Sequence, residues 1–302
     1  MVRISLRHFT TRSMLRSSYN PIKRKTLADI SDLYENGKPI AMVTSHDFIT
    51  SKMVEHAKID INLIGDSLAN TTLGYQDTNE LTLDEFLYHV KSVQRGNSHS
   101  FLVADLPFGS FEKSLEQASE TCIKLVQQGN IQAIKIEGGQ SENLPVIKKI
   151  ISMGIPVMGH VGLTPQRHNE LGGYKLQGKT LESCLKIYNE CLNLEKIGVF
   201  AIVLECIPNK LSQLITEKLS IPTIGIGAGP YTSGQVLVVS DLLGMKDCHQ
   251  AKFVKKYQDF FKSGVEGLSQ YKEEVESGQF PELDSHGYKM KKDLYDELKK
   301  II

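Results

Sequence analysis

Seven polar side chains stand where short apolar runs of this sequence stop. Asp66 and Ser67 follow INLIG, Asp105 closes FLVAD, and Lys135 and Glu137 lie two apart in AIKIEG. His160 falls in PVMGHVG, and Glu205 closes FAIVLE. A buried carboxylate is costly without a cationic or hydrogen-bonding partner, so acids that recur at such places point to a built site. Asp66, Asp105 and Glu137, gathered in one small volume, would repel one another and hold protons unless a cation neutralised them. All three are hard oxygen donors, which favours Mg²⁺ or another hard divalent cation over zinc. Mg²⁺ usually takes only one or two protein carboxylates directly, so one or more of the three would act through water.

The other groups suggest partners for that cation. Lys135 and Glu137, two apart on a strand, share a face. The lysine would offer its ammonium to an anionic substrate group. A Schiff-base lysine is the competing reading, but nearby acids would keep this amine protonated and poorly nucleophilic. Glu205, within AIVLEC, has apolar neighbours that would raise its pKa and suit it to general-base work near neutral pH. His160 is open between ligand, acid, hydrogen-bond donor and a purely structural role. Gly225, Gly227 and Gly229 in GIGAG resemble a phosphate-cradling loop that would contact an anion or the tail of a cofactor. Glycines also serve tight turns, so that cluster has a plainer reading as well.

The elements that must position these residues show as a rhythm. Eight apolar runs recur at 40–45, 61–65, 101–106, 133–138, 156–162, 200–205, 222–229 and 236–241. Continuous rather than alternating hydrophobicity predicts strands covered on both faces, as parallel strands are. Amphipathic segments separate them. Thr82 with Glu85 predicts a capping box ahead of Phe86, Val90 and Val93, and Ser114 with Gln117 repeats it ahead of Leu115, Ala118, Cys122 and Leu125. Asn143 is expected to cap a segment with Leu144, Ile147 and Ile151 inward. A helix over 180–197 is expected to bury Leu181, Cys184, Tyr188 and Cys191. Gly96, Gly129, Gly154 and Gly198 follow these segments as stop signals. Eight such units, with no GxGxxG after the first strand, predict an α/β chain folded as a (β/α)₈ TIM barrel rather than an open doubly wound sheet. The site would then lie at the carboxyl ends of the strands, where these seven residues fall. A further amphipathic helix is predicted around Phe253, Tyr257, Phe260 and Phe261.

Composition bounds the function. The 302 residues carry 35 basic and 35 acidic side chains, with 40% hydrophobic and 23% charged residues. That balance argues against nucleic acid or an anionic membrane as partner and leaves small metabolites. No apolar run is long enough to span a bilayer. Five cysteines without a CxxC pair fit reduced thiols. The N-terminus, MVRISLRHFTTRSMLRSSYN, has Arg3, Arg7, Arg12 and Arg16 and no acid before Asp29. This is the composition of a mitochondrial targeting segment leading to the matrix, with a merely disordered basic tail as the alternative. The expected organisation is a targeting extension over 1–25, a catalytic barrel over 26–288, and a charged tail over 289–302.

Taken in order, IGDSLANTTLGY, VADLPFGS, AIKIEGG, GHVGLTPQ, GGYKLQG, LECIP and IPTIGIGAG resemble the ketopantoate hydroxymethyltransferase family over roughly residues 27–280. VESGQFP and SHGY are similar to that family's C-terminal stretch. The resemblance implies a barrel enzyme of pantothenate and coenzyme A biosynthesis. It would move a hydroxymethyl group from 5,10-methylenetetrahydrofolate, as co-substrate, to 3-methyl-2-oxobutanoate by metal-assisted enolisation. Asp66, Asp105 and Glu137 match its metal positions. Asp66, Ser67, Asp105 and Lys135 match positions that hold the keto acid, and Glu205 matches the proton acceptor. A homo-oligomer, a decamer in the family, is implied as well. There are departures. His46 in TSHDF replaces a usual tyrosine, GYQDT (74–78) is less regular than the usual loop, and NELTLDE replaces a proline-containing turn. These touch rim loops rather than the acids. Two alternatives stay open. One is a Mg²⁺-dependent 2-oxo acid carbon–carbon lyase of the isocitrate lyase and phosphoenolpyruvate mutase type, although KxCG is absent. The other is a non-catalytic metabolite-binding barrel, against which the complete set of acids argues.

Overall fold

Alternation within each strand decides what the strand can bury. In a computed structural model of the chain, which describes residues 24–248 and 250–302, eight parallel strands pair in sequence order into a closed barrel. They are β1 (Ile40–Thr44), β2 (Ile61–Ile64), β3 (Phe101–Asp105), β4 (Ala133–Glu137), β5 (Val157–Gly162), β6 (Ala201–Glu205), β7 (Thr223–Ile226) and β8 (Gly234–Leu237). The Ile40 amide donates to the Ser233 carbonyl at 3.0 Å where the first strand meets the last. The predicted (β/α)₈ barrel is therefore the fold. The proposed targeting stretch lies almost wholly outside the described residues.

The helices, in order, are α1 (Leu27–Glu35), α2 (Phe48–His56), α3 (Leu68–Thr71), α4 (Leu83–Gly96), α5 (Leu115–Gly129), α6 (Leu144–Ser152), α7 (His168–Leu171), α8 (Leu181–Ile197) and α9 (Asn209–Lys218). Short 3-10 turns cover Thr78–Glu80 and Pro165–Arg167. The chain divides into two compact units, one running through Val236 and one from Leu237. The second unit holds α10 (Val239–Leu242), α11 (Phe260–Glu276), α12 (Leu283–His286) and α13 (Lys292–Ile301). Along α11, Phe261, Val265, Leu268, Tyr271 and Val275 are exposed at helical spacing. Among the described residues no helix is long and apolar enough to cross a membrane.

Two cores explain the unbroken apolar runs. Phe101 and Val103 of β3, Ala133 of β4, Met158 of β5, and Ala201 and Val203 of β6 pack together as one cluster, with Ile30 of α1. Their strand neighbours Leu102, Ala104, Ile134, Ile136, Val157, Ile202 and Leu204 pack in a second cluster with Phe86, Val90, Cys122, Ile147 and Leu194 of the helices. The first cluster is the barrel interior, the second the layer between barrel and helices. Moving by two along the interior positions leads from Val103 to Asp105, from Ala133 to Lys135 and Glu137, from Met158 to His160, and from Val203 to Glu205. The interior is thus apolar below and polar at the carboxyl ends.

The Thr82–Glu85 capping box is present, and Phe86, Val90 and Val93 are buried below it. Ser114 accepts from the Gln117 amide, but the Gln117 side chain turns to the Lys113 amide and the Gly109 carbonyl instead of closing a box. Asn143 makes no side-chain cap and donates to the Glu137 carbonyl. Gly198, at φ +98, ends α8 in the left-handed conformation. Gly129 is the last residue of α5, and a β-carbon there would collide with Val90 of α4. Its smallness serves helix contact, not chain reversal.

Three expectations need correction. The eighth strand is Gly234–Leu237, and only the first two residues of the run VLVVSD belong to it, while its last three fall in α10. A continuous apolar run does not distinguish strand from buried helix, and four residues suffice to close the barrel here. In α8 the fully buried residues are Ile187, Glu190, Cys191 and Leu194, the expected Cys184 and Tyr188 pack against the core partly buried, and Leu181 is 77% exposed. The inward stripe begins one turn later than expected, because Leu181 stands at the exposed first turn. Finally, α11 begins at Phe260, so Phe253 and Tyr257 precede it in irregular chain.

Candidate active site

Strand register brings the polar residues together. Asp105 is level with Lys135, Glu137 with His160, and Gly162 with Glu205. Lys135 Nζ donates to Asp105 Oδ1 at 2.6 Å. The other oxygen of Asp105 accepts from the Asp66 amide at 3.1 Å, because β2 ends one turn before α3 begins. His160 Nδ1 lies 3.5 Å from Glu137 Oε1, and its Nε2 lies 3.2 Å from Glu205 Oε2. Neither contact is aligned as a hydrogen bond, so both act as ion pairs. Asp66, Asp105, Lys135, Glu137 and His160 are each at most 5% exposed. The Glu205 side chain, at 15%, is the more open one.

The charges interlock. Burial, then repulsion from Asp105 and Glu137, holds the Asp66 carboxyl well above the usual carboxylate range. Burial also raises Asp105, against the opposing ammonium of Lys135. Burial acts to raise Glu137 too, but the contact and charge of His160, the Lys135 charge and the Gln166 amide together bring it below its ordinary value. Burial works to lower the Lys135 amine, yet Asp105, Glu137 and Asp66 outweigh it and hold the ammonium more firmly protonated than usual. That disfavours a Schiff-base role. For His160, burial and Lys135 lower the imidazole while its two carboxylate neighbours push it up to about 9. Glu205 therefore faces a cation rather than the apolar surroundings expected for it.

The remaining expected residues are placed as follows. Ser67 heads α3 with its hydroxyl capping nothing. A β-carbon at Gly65 would sit 3.1 Å from Ser67 Oγ and 3.6 Å from Asp105 Oδ2, so glycine keeps a small cradle open between them. Gly162 is at φ +95, where a β-carbon would overlap the Glu205 carbonyl. Cys206, directly after Glu205, also has a left-handed backbone, at φ +47. Gly225 lies in β7, close to Thr232, and Gly229 packs on Asn209 at the start of α9. These contacts give two of the three glycines a packing reason of their own. His46 is mostly buried, and its carbonyl accepts from His89 Nδ1 at 2.6 Å.

Sequence reasoning missed Gln166. Its Nε2 donates to Asp66 Oδ2 at 2.8 Å and to the Leu106 carbonyl at 2.9 Å. Its main-chain amide donates to Glu137 Oε2 at 3.0 Å. The only signal was its place at the end of GHVGLTPQ. Tyr174, from GGYKLQG, was also unassigned. Its phenol is raised by burial and by the charges of Asp77, Asp66, Glu137 and Glu205, so it stands within their field. Its ring stacks near His168, which pairs with Asp77 at 3.4 Å. A cavity of about 510 Å³ lined by Thr82, Leu83, Phe108, Ser110 and Lys124 includes none of the clustered acids. Volume alone would misplace the site.

Among the described residues, no three His, Cys, Asp or Glu side chains are set to ligate one ion together. The donors nonetheless suit a hard divalent cation. With all four acids ionised, Asp66, Asp105, Glu137 and Glu205 face two cationic groups, Lys135 and His160, which leaves two negative charges to balance. Oxygen donors of this kind fit an ion that takes one or two carboxylates and completes its shell with water or substrate.

A sequence profile described as ketopantoate hydroxymethyltransferase matches residues 24–283. The chain is 43% identical over 300 residues to the 3-methyl-2-oxobutanoate hydroxymethyltransferase of Emericella nidulans, covering 99% of this chain and 85% of that one. The enzyme of the same name from Saccharomyces cerevisiae is 45% identical, covering 92% and 91%. Among solved structures, phosphonopyruvate hydrolase in complex with oxalate and Mg²⁺ matches with a TM-score of 0.56 at 12% identity, covering 92% of this chain and 98% of that one. A 2,3-dimethylmalate lyase matches with a TM-score of 0.53 at 12% identity, covering 91% and 97%. At such identity the likeness concerns the fold alone.

Proposed function

The chain belongs to the ketopantoate hydroxymethyltransferase family, and on that premise we propose how its clustered residues carry the reaction. The enzyme transfers a hydroxymethyl group to 3-methyl-2-oxobutanoate, giving 2-dehydropantoate in pantothenate and coenzyme A biosynthesis. The observation that carries the assignment of roles is the split within the cluster. A buried ammonium lies against Asp105, while a more open carboxylate, Glu205, stands apart from it across His160.

Asp66, Asp105 and Glu137 would hold a hard divalent cation such as Mg²⁺, directly or through water, and that ion would supply Lewis acidity to the keto group. Lys135 balances the substrate carboxylate, and the free hydroxyl of Ser67 donates to it. Glu205 accepts the proton from C3. His160, charged between Glu137 and Glu205, keeps Glu205 turned toward the barrel interior and contacts the substrate edge. C3 then bonds to the methylene carbon of 5,10-methylenetetrahydrofolate. The bonds from that carbon to the folate nitrogens break, and water provides the hydroxyl oxygen. Stabilisation falls on charge that develops only during proton removal, where it accelerates the reaction. Folate contact is assigned to the turn carrying Gly225, Gly227 and Gly229.

Catalysis is assigned to residues 26–288. A homo-oligomer, a decamer as the family resemblance implies, is supported by the exposed apolar stripe of α11. The Arg-rich, acid-free N-terminus supports a mitochondrial matrix location. The deciding experiment is 2-dehydropantoate formation from the two substrates, before and after chelation and again after adding Mg²⁺. We expect loss and recovery. Absence of product, or product indifferent to chelator, would sink the mechanism.

A further inference from the structure

Gln166 is 6% exposed and sits just after β5, in the 3-10 turn opened by Pro165. Both hydrogens of its side-chain amide are used, one on Asp66 and one on the Leu106 carbonyl, immediately beyond Asp105. Its main-chain amide holds Glu137, and its own carbonyl accepts from Asn79 Nδ2 at 3.0 Å. One residue thus ties together the ends of β2, β3 and β4 from the loop after β5.

We propose that Gln166 is a positioning residue of the cation centre, setting the carboxylates of Asp66 and Glu137 before an ion arrives. The inference rests on the reading that these acids serve a divalent cation. A carboxylate with one oxygen tied to a directed donor presents its other oxygen in a fixed direction. For Asp66 the tied atom is Oδ2, which leaves Oδ1 as the presented donor. Glu137 is held at both oxygens, by Gln166 at Oε2 and by His160 beside Oε1, so its orientation is set from two sides. A neutral amide suits the task better than lysine or arginine, because it orients the acids without adding a positive charge that would compete with the ion. Pro165 restricts the turn at the preceding residue, so the amide is delivered with little remaining freedom. Partners in such an outer layer typically change metal affinity by about 10–100-fold when removed.

The test uses the full chain stripped of metal, with Gln166→Met, similar in size but without donors, and Gln166→Asn, an amide one methylene too short. Mn²⁺ binding is followed by electron paramagnetic resonance without substrate, alongside thermal melting of the metal-free protein. We expect both variants to melt near the parent and to bind Mn²⁺ at least about tenfold more weakly. Most of kcat should return at saturating Mn²⁺, because the residue acts through the ligands and not on the substrate. Mn²⁺ affinity within about twofold of the parent in both variants overturns the proposal. So does a collapse of the fold in both, which would assign Gln166 to stability alone. If the parent chain itself binds no Mn²⁺, the cation reading fails first, and that result is distinct from either of these.

Discussion

Replacing Lys135 by methionine keeps much of the stem and removes the charge. Its Nζ lies 2.6 Å from Asp105 Oδ1, and both side chains are buried. Across an effective dielectric of about 20, the attraction at that separation is roughly 6 kcal/mol. Most of it offsets the cost of taking the two ions out of water. Lys135→Met therefore leaves an uncompensated buried carboxylate beside two further acids, and removing one partner of such a pair costs about 3–5 kcal/mol. We expect that loss near pH 8.

The pH dependence has a definite sign. Burial already holds Asp105 and Asp66 above the usual carboxylate range, and Lys135 opposes this for both. Without the lysine both rise further. An acid whose folded pKa exceeds its unfolded one binds more protons when folded, so stability falls as pH climbs through that window. The deficit of Lys135→Met should thus be largest near pH 8 and shrink toward about pH 5, by up to about 1.4 kcal/mol per pH unit for each acid in its window. Urea unfolding in the presence of chelator, followed by circular dichroism at several pH values, measures it. An equal deficit at every pH would trace the loss to methionine's shape. No deficit near pH 8 would remove the ion pair from the account of the site.

Two further outcomes follow from the geometry. Glu205→Gln should still bind the keto acid but lose exchange of the C3 hydrogen with deuterated water by about 10²–10⁴-fold, the usual worth of a general base; retained exchange would take Glu205 out of that role. Gly162→Ala forces a β-carbon into the Glu205 carbonyl at φ +95, so it should cost at least about 2 kcal/mol and lower activity by displacing Glu205. An unchanged thermal melt and rate would show that the β5–β6 edge yields without cost.

Asp105, Glu137 and Glu205 were legible because a strand directs side chains by a local rule of period two, whereas Asp66 lies past the end of β2, where that rule no longer applies. Once Val103 is inward, Asp105 must be, and the same count along β4 carries Lys135 and Glu137 to the same mouth. Lys135 as a protonated group among acids was legible for the same reason. The count does not say what lies across the barrel. Glu205 was expected among apolar neighbours because AIVLEC is apolar along the chain, but its Oε2 meets His160 of the adjacent strand. His160 stayed open between roles because its charge depends on Glu137 on one side and Glu205 on the other, and no single run contains all three. In α8 the helical period and most of the inward face were legible, since Cys184, Tyr188 and Cys191 meet the core, and only Leu181 fails because it lies in a first turn left exposed.

Gln166 marks where a local rule stops being available. Its bonds to Glu137, Leu106 and Asp66 span 29, 60 and 100 positions of the chain, and it belongs to no periodic element that would aim it. A loop side chain is directed by whatever the closed barrel brings near it, so its role exists only after folding. Asp105, Lys135, Glu137, His160 and Glu205 sit on strands, where alternation predicts their direction. Residues that hold the chemistry in register must reach between strands, and in this barrel that reach comes from the loop after β5. The same division predicts what each substitution reports: changes at Lys135 should be read out in stability, its pH dependence and keto-acid binding together, changes at Gln166 in ion affinity with stability kept.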